Sequence, residues 1–143
     1  MIWLQRLPFF VLLMGFGALS MMVPAVHGFF LSDFSTMRVF FYGFILFSIF
    51  TVIIGLATAG YAPRSVARSQ LVALVSAFTA LPLMFAIPFQ EAVGNTSFLN
   101  AWFEMVSCFT TTGATVYENA GRLTPSLHVW RGLVGWMGGL LIW

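Results

Sequence analysis

The sequence predicts an all-α membrane protein: two N-terminal transmembrane helices, then a helix–loop–helix repeat whose last helix is incomplete. Three observations carry this prediction: the scarcity of charge, the long uncharged intervals between the charges, and one helical segment too short to cross a bilayer. Of 143 residues, 60% are apolar and only 7% are charged, against about 25% charged in an ordinary soluble domain. Six arginines and four acids cannot solvate a soluble globule of this size, which excludes a water-soluble enzyme.

The uncharged intervals define the membrane spans. Residues 7–32, 39–63 and 69–90 contain no charged side chain, and each run exceeds the roughly 20 residues that a spanning helix needs. Backbone polar groups must be bonded internally in lipid, and none of the runs shows the alternation of barrel strands. The first run is also longer than the apolar core of a signal peptide, about 7–15 residues, which favours a retained helix. We therefore predict transmembrane helices at about 7–31, 37–60 and 69–89.

The distribution of charge also bears on orientation and on partners. With three spans, Arg6, Arg64 and Arg68 share one side of the membrane, which by the positive-inside rule suggests a cytoplasmic N-terminus. Arg38, Arg122 and Arg131 give the opposite side the same count if the rest of the chain stays there, so charge alone leaves the orientation open. A net charge of +2 without a basic cluster predicts no nucleic-acid partner. We expect membrane lipid as the surrounding partner.

Cysteine and histidine usage argues against a metal centre. Cys108 is the one cysteine, which excludes an intrachain disulfide and a cysteine-based zinc site. His27 and His128 have no carboxylate at ligand spacing, so neither is predicted to bind a metal. No cofactor is expected.

The segment after the third span is a short helix. Phe98, Trp102, Met105 and Phe109 recur at four- and three-residue spacing, which indicates a helical face. About 12 residues at 1.5 Å each give about 18 Å, and the bilayer core is about 30 Å thick. This helix therefore cannot cross the membrane.

The next stretch, Thr110–Thr115, reads TTTGAT and is poor helix material. A half-length helix that passes into extended backbone is typical of a re-entrant pore loop, although a threonine-rich turn joining two helices has the same sequence pattern. In a pore loop, extended carbonyls replace the hydration shell of a monovalent cation. Gly113 permits backbone angles that a Cβ hinders, and the negative end of the helix dipole favours a cation nearby. The candidate ion-binding residues are Thr110, Thr111, Thr112 and Gly113, and no other metal site is predicted.

Three further residues are candidate supports of this loop: Ala114, Thr115 and Glu104. Glu104 lies on the short helix, where it either braces the loop through backbone N–H groups or is solvated at the outer interface. Pro125 and Ser126 open a last helix that runs to Trp143, and we expect the chain to end within this fourth span. Near its start, Arg131 either pairs with an acid or extends to lipid headgroups.

Four stretches resemble a known family. They are Ala80-Leu-Pro-Leu83, Ala101-Trp-Phe-Glu104, Ser107-x-x-Thr-Thr-Thr-Gly-Ala-Thr115 and Trp130-Arg-Gly-Leu-Val-Gly-Trp-Met-Gly-Gly139. Together they resemble the first pore repeat of the TrkH/TrkG potassium-uptake family, to which the KtrB and plant HKT proteins are related. The chain resembles an N-terminal fragment of such a protein. Residues 1–61 would form a two-helix membrane segment and residues 62–143 an incomplete first pore repeat.

The resemblance implies a function and partners. It implies potassium uptake across the bacterial inner (plasma) membrane by a multi-pass protein with four non-identical repeats around one pore. This chain would supply one filter segment, and the remaining repeats of the full-length protein would supply the others. In this family a filter glycine, here Gly113, accompanies potassium selectivity. The resemblance also implies a cytoplasmic TrkA-type nucleotide-binding regulatory subunit and a homodimer when full length.

A second function is compatible with the sequence, and a third is not. The alternative reading is a non-conducting membrane fragment with a packing or assembly role only. An enzyme is not predicted, because the sequence offers no serine–histidine, paired-acid or metal constellation at one depth. Whether ion flux would be channel-like or ion-coupled, as in a symporter, is left open by the sequence.

Overall fold

The computed structural model describes residues 9–60 and 66–142, and the regular elements in these ranges are all helical. In chain order the helices are α1 (Phe9–Ser20), α2 (Met22–Phe30), α3 (Phe34–Thr58), α4 (Val66–Val93), α5 (Phe98–Phe109) and α6 (Pro125–Ile142). A 3-10 turn, Ala120–Arg122, lies between α5 and α6. The domain boundary predicted at residue 61 lies outside the described ranges. So do Arg6 and Arg64, on which the predicted orientation depends.

Three helical segments in the described ranges are long and apolar enough to cross a membrane. They are Phe9–Phe30, Phe34–Thr58 and Ala67–Val93, with 22, 25 and 27 residues. The predicted all-α membrane protein with three spans is thereby confirmed, with shifted boundaries. The second span starts earlier than predicted because the Asp33 carboxylate accepts a hydrogen bond from the Thr36 amide at 3.2 Å and caps α3. The third ends at Val93 rather than at residue 89, with Pro88 inside α4.

The first span is interrupted near its middle. α1 ends at Ser20 and α2 begins at Met22, although the apolar sequence continues on both sides of this break. Pro24 has no N–H to donate to the carbonyl of Ser20, the i−4 position, and its ring disfavours a straight helix there. On the α1 side of the break, the Ser20 hydroxyl donates to the Gly17 carbonyl at 2.7 Å. The N-terminal span is thus two helices joined at a break.

An aromatic cluster fixes α5 and α6 against the long helices. The Phe109 ring, at the end of α5, lies 5.2 Å from Phe78 and 5.8 Å from Phe85 of α4, measured between centroids. Trp130 of α6 is fully buried, 5.3 Å from Phe85 and 5.2 Å from Phe40 of α3. Aromatic pairs of this kind each contribute about 0.5–1.5 kcal/mol beyond the area they bury. The end of α5 therefore packs against α4, while Trp130 joins α6 to both α3 and α4.

The backbone of α6 lies directly against the last turn of α5. A Cβ at Gly138 would overlap the Phe109 carbonyl oxygen and lie 2.6 Å from the Phe109 carbonyl carbon. A Cβ at Gly135 would lie 3.5 Å from the Cys108 carbonyl oxygen, and one at Gly139 would lie 3.8 Å from Thr111 Cγ2. Small residues permit this approach. The close approach places α6 beside the point where the chain leaves α5.

Candidate functional site

The end of α5 is closed by the amides of the residues that follow it. Thr110 is the C-terminal cap, with φ −82° and ψ 2°. The Thr111 amide donates to the Cys108 carbonyl and the Thr112 amide to the Ser107 carbonyl, each at 3.0 Å. Thr111 has φ +58°. This pair of bonds with a left-handed residue is a Schellman closure, in which the left-handed position is usually glycine.

This closing turn differs from the extended backbone that the sequence predicts. The sequence predicts extended backbone throughout Thr110–Thr115, and that prediction is wrong for Thr110 and Thr111, which form the closing turn of α5. The physical reason is that the last carbonyls of a helix need donors, and the next amides supply them. A β-branched side chain in the left-handed region costs about 1–2 kcal/mol. Such strain persists where the surrounding structure over-determines the conformation.

Four successive main-chain oxygens at this turn have no hydrogen-bond donor. Within residues 9–60 and 66–142, no N–H or O–H bonds the carbonyls of Thr110, Thr111, Thr112 or Gly113. Thr111, Thr112 and Gly113 are exposed. Gly113 has φ +76°, and a Cβ there would meet nothing within 4 Å, so its backbone conformation, rather than crowding, favours glycine. These oxygens are available to a cation.

The carbonyl oxygen of Ala114, the next residue, does accept a hydrogen bond. Ser107 Oγ, on α5, donates to the Ala114 carbonyl oxygen at 2.6 Å. The Ala114 oxygen is therefore turned toward the helix and away from the set of free carbonyls. Ser107 thus ties the residue that follows the four free carbonyls to α5.

An ion pair whose acid is fully buried lies beside this segment. Glu104 of α5 is 0% exposed, and Arg131 Nη2 of α6 lies 2.5 Å from its Oε1. Thr115 Oγ1 lies 3.0 Å from both Glu104 carboxylate oxygens, and the Val116 amide donates to Oε2 at 3.2 Å. The alternative in which Glu104 is solvated is wrong, and Arg131 pairs with this acid. A buried carboxylate is tolerated here because it is both paired and hydrogen-bonded.

The chain beyond the segment is tied to the loop before α5. Tyr117 Oη lies 2.9 Å from Thr96 Oγ1, and its ring lies 5.8 Å from that of Phe89. The Arg122 guanidinium lies 5.9 Å from the Tyr117 ring centroid and donates to the Asn95 carbonyl. Sequence reasoning missed these contacts. They join residues 21 and 27 positions apart, and no local pattern marks such partners.

Other polar residues serve to connect helices. His27 Nδ1 lies 2.9 Å from Ser126 Oγ, which joins α2 to the start of α6. Among the described residues, no group of three or more His, Cys, Asp or Glu side chains is placed to hold a metal ion. Cys108 is a free thiol on α5.

Fold and site together define a class of protein. It is a helical membrane protein in which a half-length helix ends in a turn that presents free main-chain oxygens, beside a buried acid–arginine pair. Over part of its length the chain is homologous to the Trk family of potassium-uptake proteins, and the family resemblance seen in the sequence is confirmed.

Two relatives carry this homology. The Trk system potassium uptake protein TrkI of Halomonas elongata is 39% identical over 66 residues, which cover 46% of this chain and 12% of that protein. An uncharacterized cation transporter of Methanocaldococcus jannaschii is 31% identical over 97 residues, covering 67% of this chain and 20% of that protein. The chain thus spans a fifth or less of the length of either relative.

Both relatives are named as transport proteins rather than enzymes, which agrees with the expectation that this chain carries out no covalent catalysis. No family model matches the chain. No solved structure matches it significantly.

Proposed function

We propose that this chain supplies one filter segment, Thr110–Gly113, of a Trk-type protein that takes up potassium. The observation that carries the proposal is the run of four main-chain oxygens, at the end of a half-length helix, to which no residue in the described part of the chain donates. Backbone carbonyls arranged around a pore replace the water molecules of a hydrated monovalent cation. Their partial charges bind the ion and still allow it to leave.

The surroundings support a site for a cation. The carbonyl end of α5 carries the negative end of the helix dipole. Glu104 holds the loop through Thr115 and the Val116 amide, while Arg131 compensates its charge. The loop is therefore braced without an unpaired carboxylate close to the ion, which would bind a cation too tightly for passage.

One filter segment cannot surround an ion, so the proposed pore needs further segments. Three more segments, from the remaining repeats of a longer protein, would complete the ring. In this arrangement residues 1–61 form a two-helix membrane segment and residues 62–143 belong to the first pore repeat. The protein would lie in a bacterial inner membrane with its N-terminus in the cytoplasm, as a homodimer with a TrkA-type regulatory subunit.

The test compares two glycines with the same backbone strain. Gly113 has φ +76° and Gly94, in the link before α5, has φ +73°; a Cβ would meet nothing within 4 Å at either. The complete gene that encodes this chain, carrying Gly113→Ser or Gly94→Ser, is expressed in a strain deficient in potassium uptake, and uptake of potassium and sodium is measured. Both variants have the same strain, but only Gly113 lies in the proposed filter.

We expect Gly113→Ser to lower the ratio of potassium to sodium uptake by about tenfold, the factor that corresponds to about 1.4 kcal/mol of differential binding. Gly94→Ser should preserve the ratio of the parent protein. An unchanged ratio in Gly113→Ser, or an equal change in both variants, would refute the role of Thr110–Gly113. A parent protein that gives no uptake would favour the packing or assembly alternative.

A further inference from the structure

A groove opens between the start of α3 and the end of α4, away from the candidate filter. Its cavity has a volume of about 620 Å³ and is lined by both Arg38 and Glu91, together with Tyr42, Leu46 and Ile87. α3 and α4 run in opposite directions, so the start of one lies beside the end of the other. Both are candidate membrane spans, and the two charged residues near their ends therefore lie where lipid headgroups begin.

The two charges in this groove do not neutralise each other. No ion pair joins Arg38 to Glu91, and within residues 9–60 and 66–142 the Glu91 carboxylate has no hydrogen-bond partner. Arg38 uses its Nε to donate to the Phe34 carbonyl of its own helix at 3.2 Å, and no described residue accepts a hydrogen bond from its Nη atoms. The groove thus presents a cation and an anion, separated, to any molecule that enters it.

Below the charges the groove continues as an apolar channel. Leu46 and Ile87 also line a second cavity of about 370 Å³, whose other walls include Met84 and Phe50. From Arg38 to Phe50 along α3 is about 18 Å at 1.5 Å per residue. One leaflet of the hydrocarbon core is about 15 Å thick. The channel therefore has the depth of a single leaflet.

We propose that this groove binds a phospholipid with a zwitterionic primary-amine headgroup. Its phosphate accepts hydrogen bonds from Arg38, its ammonium donates to Glu91, and one acyl chain lies along Leu46, Ile87 and Phe50. A net anionic lipid would satisfy Arg38 but place negative charge beside Glu91. A choline lipid carries no N–H to donate to Glu91. This inference is independent of the proposed filter.

The test measures which lipid the purified protein retains. The full chain, purified in detergent, is mixed with equal amounts of dioleoyl phosphatidylethanolamine, phosphatidylglycerol and phosphatidylcholine, and bound lipids are counted by native mass spectrometry. We expect phosphatidylethanolamine to be retained in preference to the other two. Glu91→Gln should lower its preference over phosphatidylglycerol by about twofold to fivefold, the contribution of an exposed ion pair.

Two controls keep the result specific. Glu118→Gln removes an exposed acid outside the groove and should leave retention unchanged. Leu46→Trp fills the apolar channel without altering charge and should reduce retention of all three lipids. Circular dichroism establishes that each variant is helical.

Three results would overturn the proposal. They are equal retention of the three lipids by the parent chain, an unchanged preference in Glu91→Gln, and lipid retention that Leu46→Trp does not reduce. A dimer that dissociates in Leu46→Trp would show instead that a second copy of the chain occupies the groove.

Discussion

A single methyl group at Gly138 should destabilise the packing of α6 against α5. Its Cβ would lie 2.6 Å from the carbonyl carbon and 2.9 Å from the Cα of Phe109, besides overlapping the carbonyl oxygen. Carbon atoms pack at about 3.5–4.0 Å, so the two backbones must separate by about 1 Å. The obstacle is main chain rather than the flexible end of a side chain, and no rotamer change relieves it.

Two opposing effects determine how Gly138→Ala changes the free energy of unfolding. Overpacking of this kind typically costs about 1–3 kcal/mol, occasionally more, and a backbone neighbour favours the upper part of that range. Replacing glycine by alanine within a helix returns about 1 kcal/mol through helix propensity. We therefore expect Gly138→Ala to lower the free energy of unfolding by about 1–2 kcal/mol.

Gly132 on the same helix is the matched control, because a Cβ there would meet nothing within 4 Å. Gly132→Ala should raise the free energy of unfolding by up to about 1 kcal/mol through helix propensity. Unfolding is followed by circular dichroism as sodium dodecyl sulfate is added to the protein in dodecyl maltoside micelles. If Gly138→Ala is as stable as Gly132→Ala, the close approach of α6 to the end of α5 is refuted.

Two further substitutions are tested by the same unfolding measurement. Glu104→Gln leaves Arg131 without its buried partner and should cost about 3–5 kcal/mol, whereas Glu118→Gln, at an exposed acid, should change stability by less than about 0.5 kcal/mol. Equal effects would contradict the buried pair. Thr111→Asn removes a β-branched side chain from a residue with φ +58° and should stabilise the chain by about 1 kcal/mol, since asparagine tolerates this conformation. The same change at Thr110, which has φ −82°, should give no gain, and a gain of equal size there would show that backbone strain is not the cause.

The start of α5 illustrates what local sequence could predict. The sequence predicts a short helix over Phe98–Phe109, and the structure has the same bounds. Ser97 accepts a hydrogen bond from the Asn100 amide at 3.2 Å, which is the local interaction that a serine at an N-cap provides. Because such a bond spans three residues, the sequence alone contains both partners in a recognisable order.

The end of the same helix shows where local reasoning failed. The threonine run was predicted to be extended because β-branched residues favour that conformation. Thr110 and Thr111 instead close the helix, and Thr111 adopts a left-handed conformation that its own preference opposes. The surrounding contacts of α6 and α4 with the last turn of α5 outweigh that preference.

The amino-acid sequence by itself determined that this is a membrane protein with three spans and one short helix. These features depend on the length of the uncharged intervals and on helical spacing, and both are properties of continuous segments. Tertiary structure alone decided which side chains meet. It paired Glu104 with Arg131, tied the Ala114 carbonyl to Ser107 and brought Gly138 against Phe109. These contacts depend on which faces of the helices pack together. That choice is made by the fit of the whole apolar core rather than by any one segment.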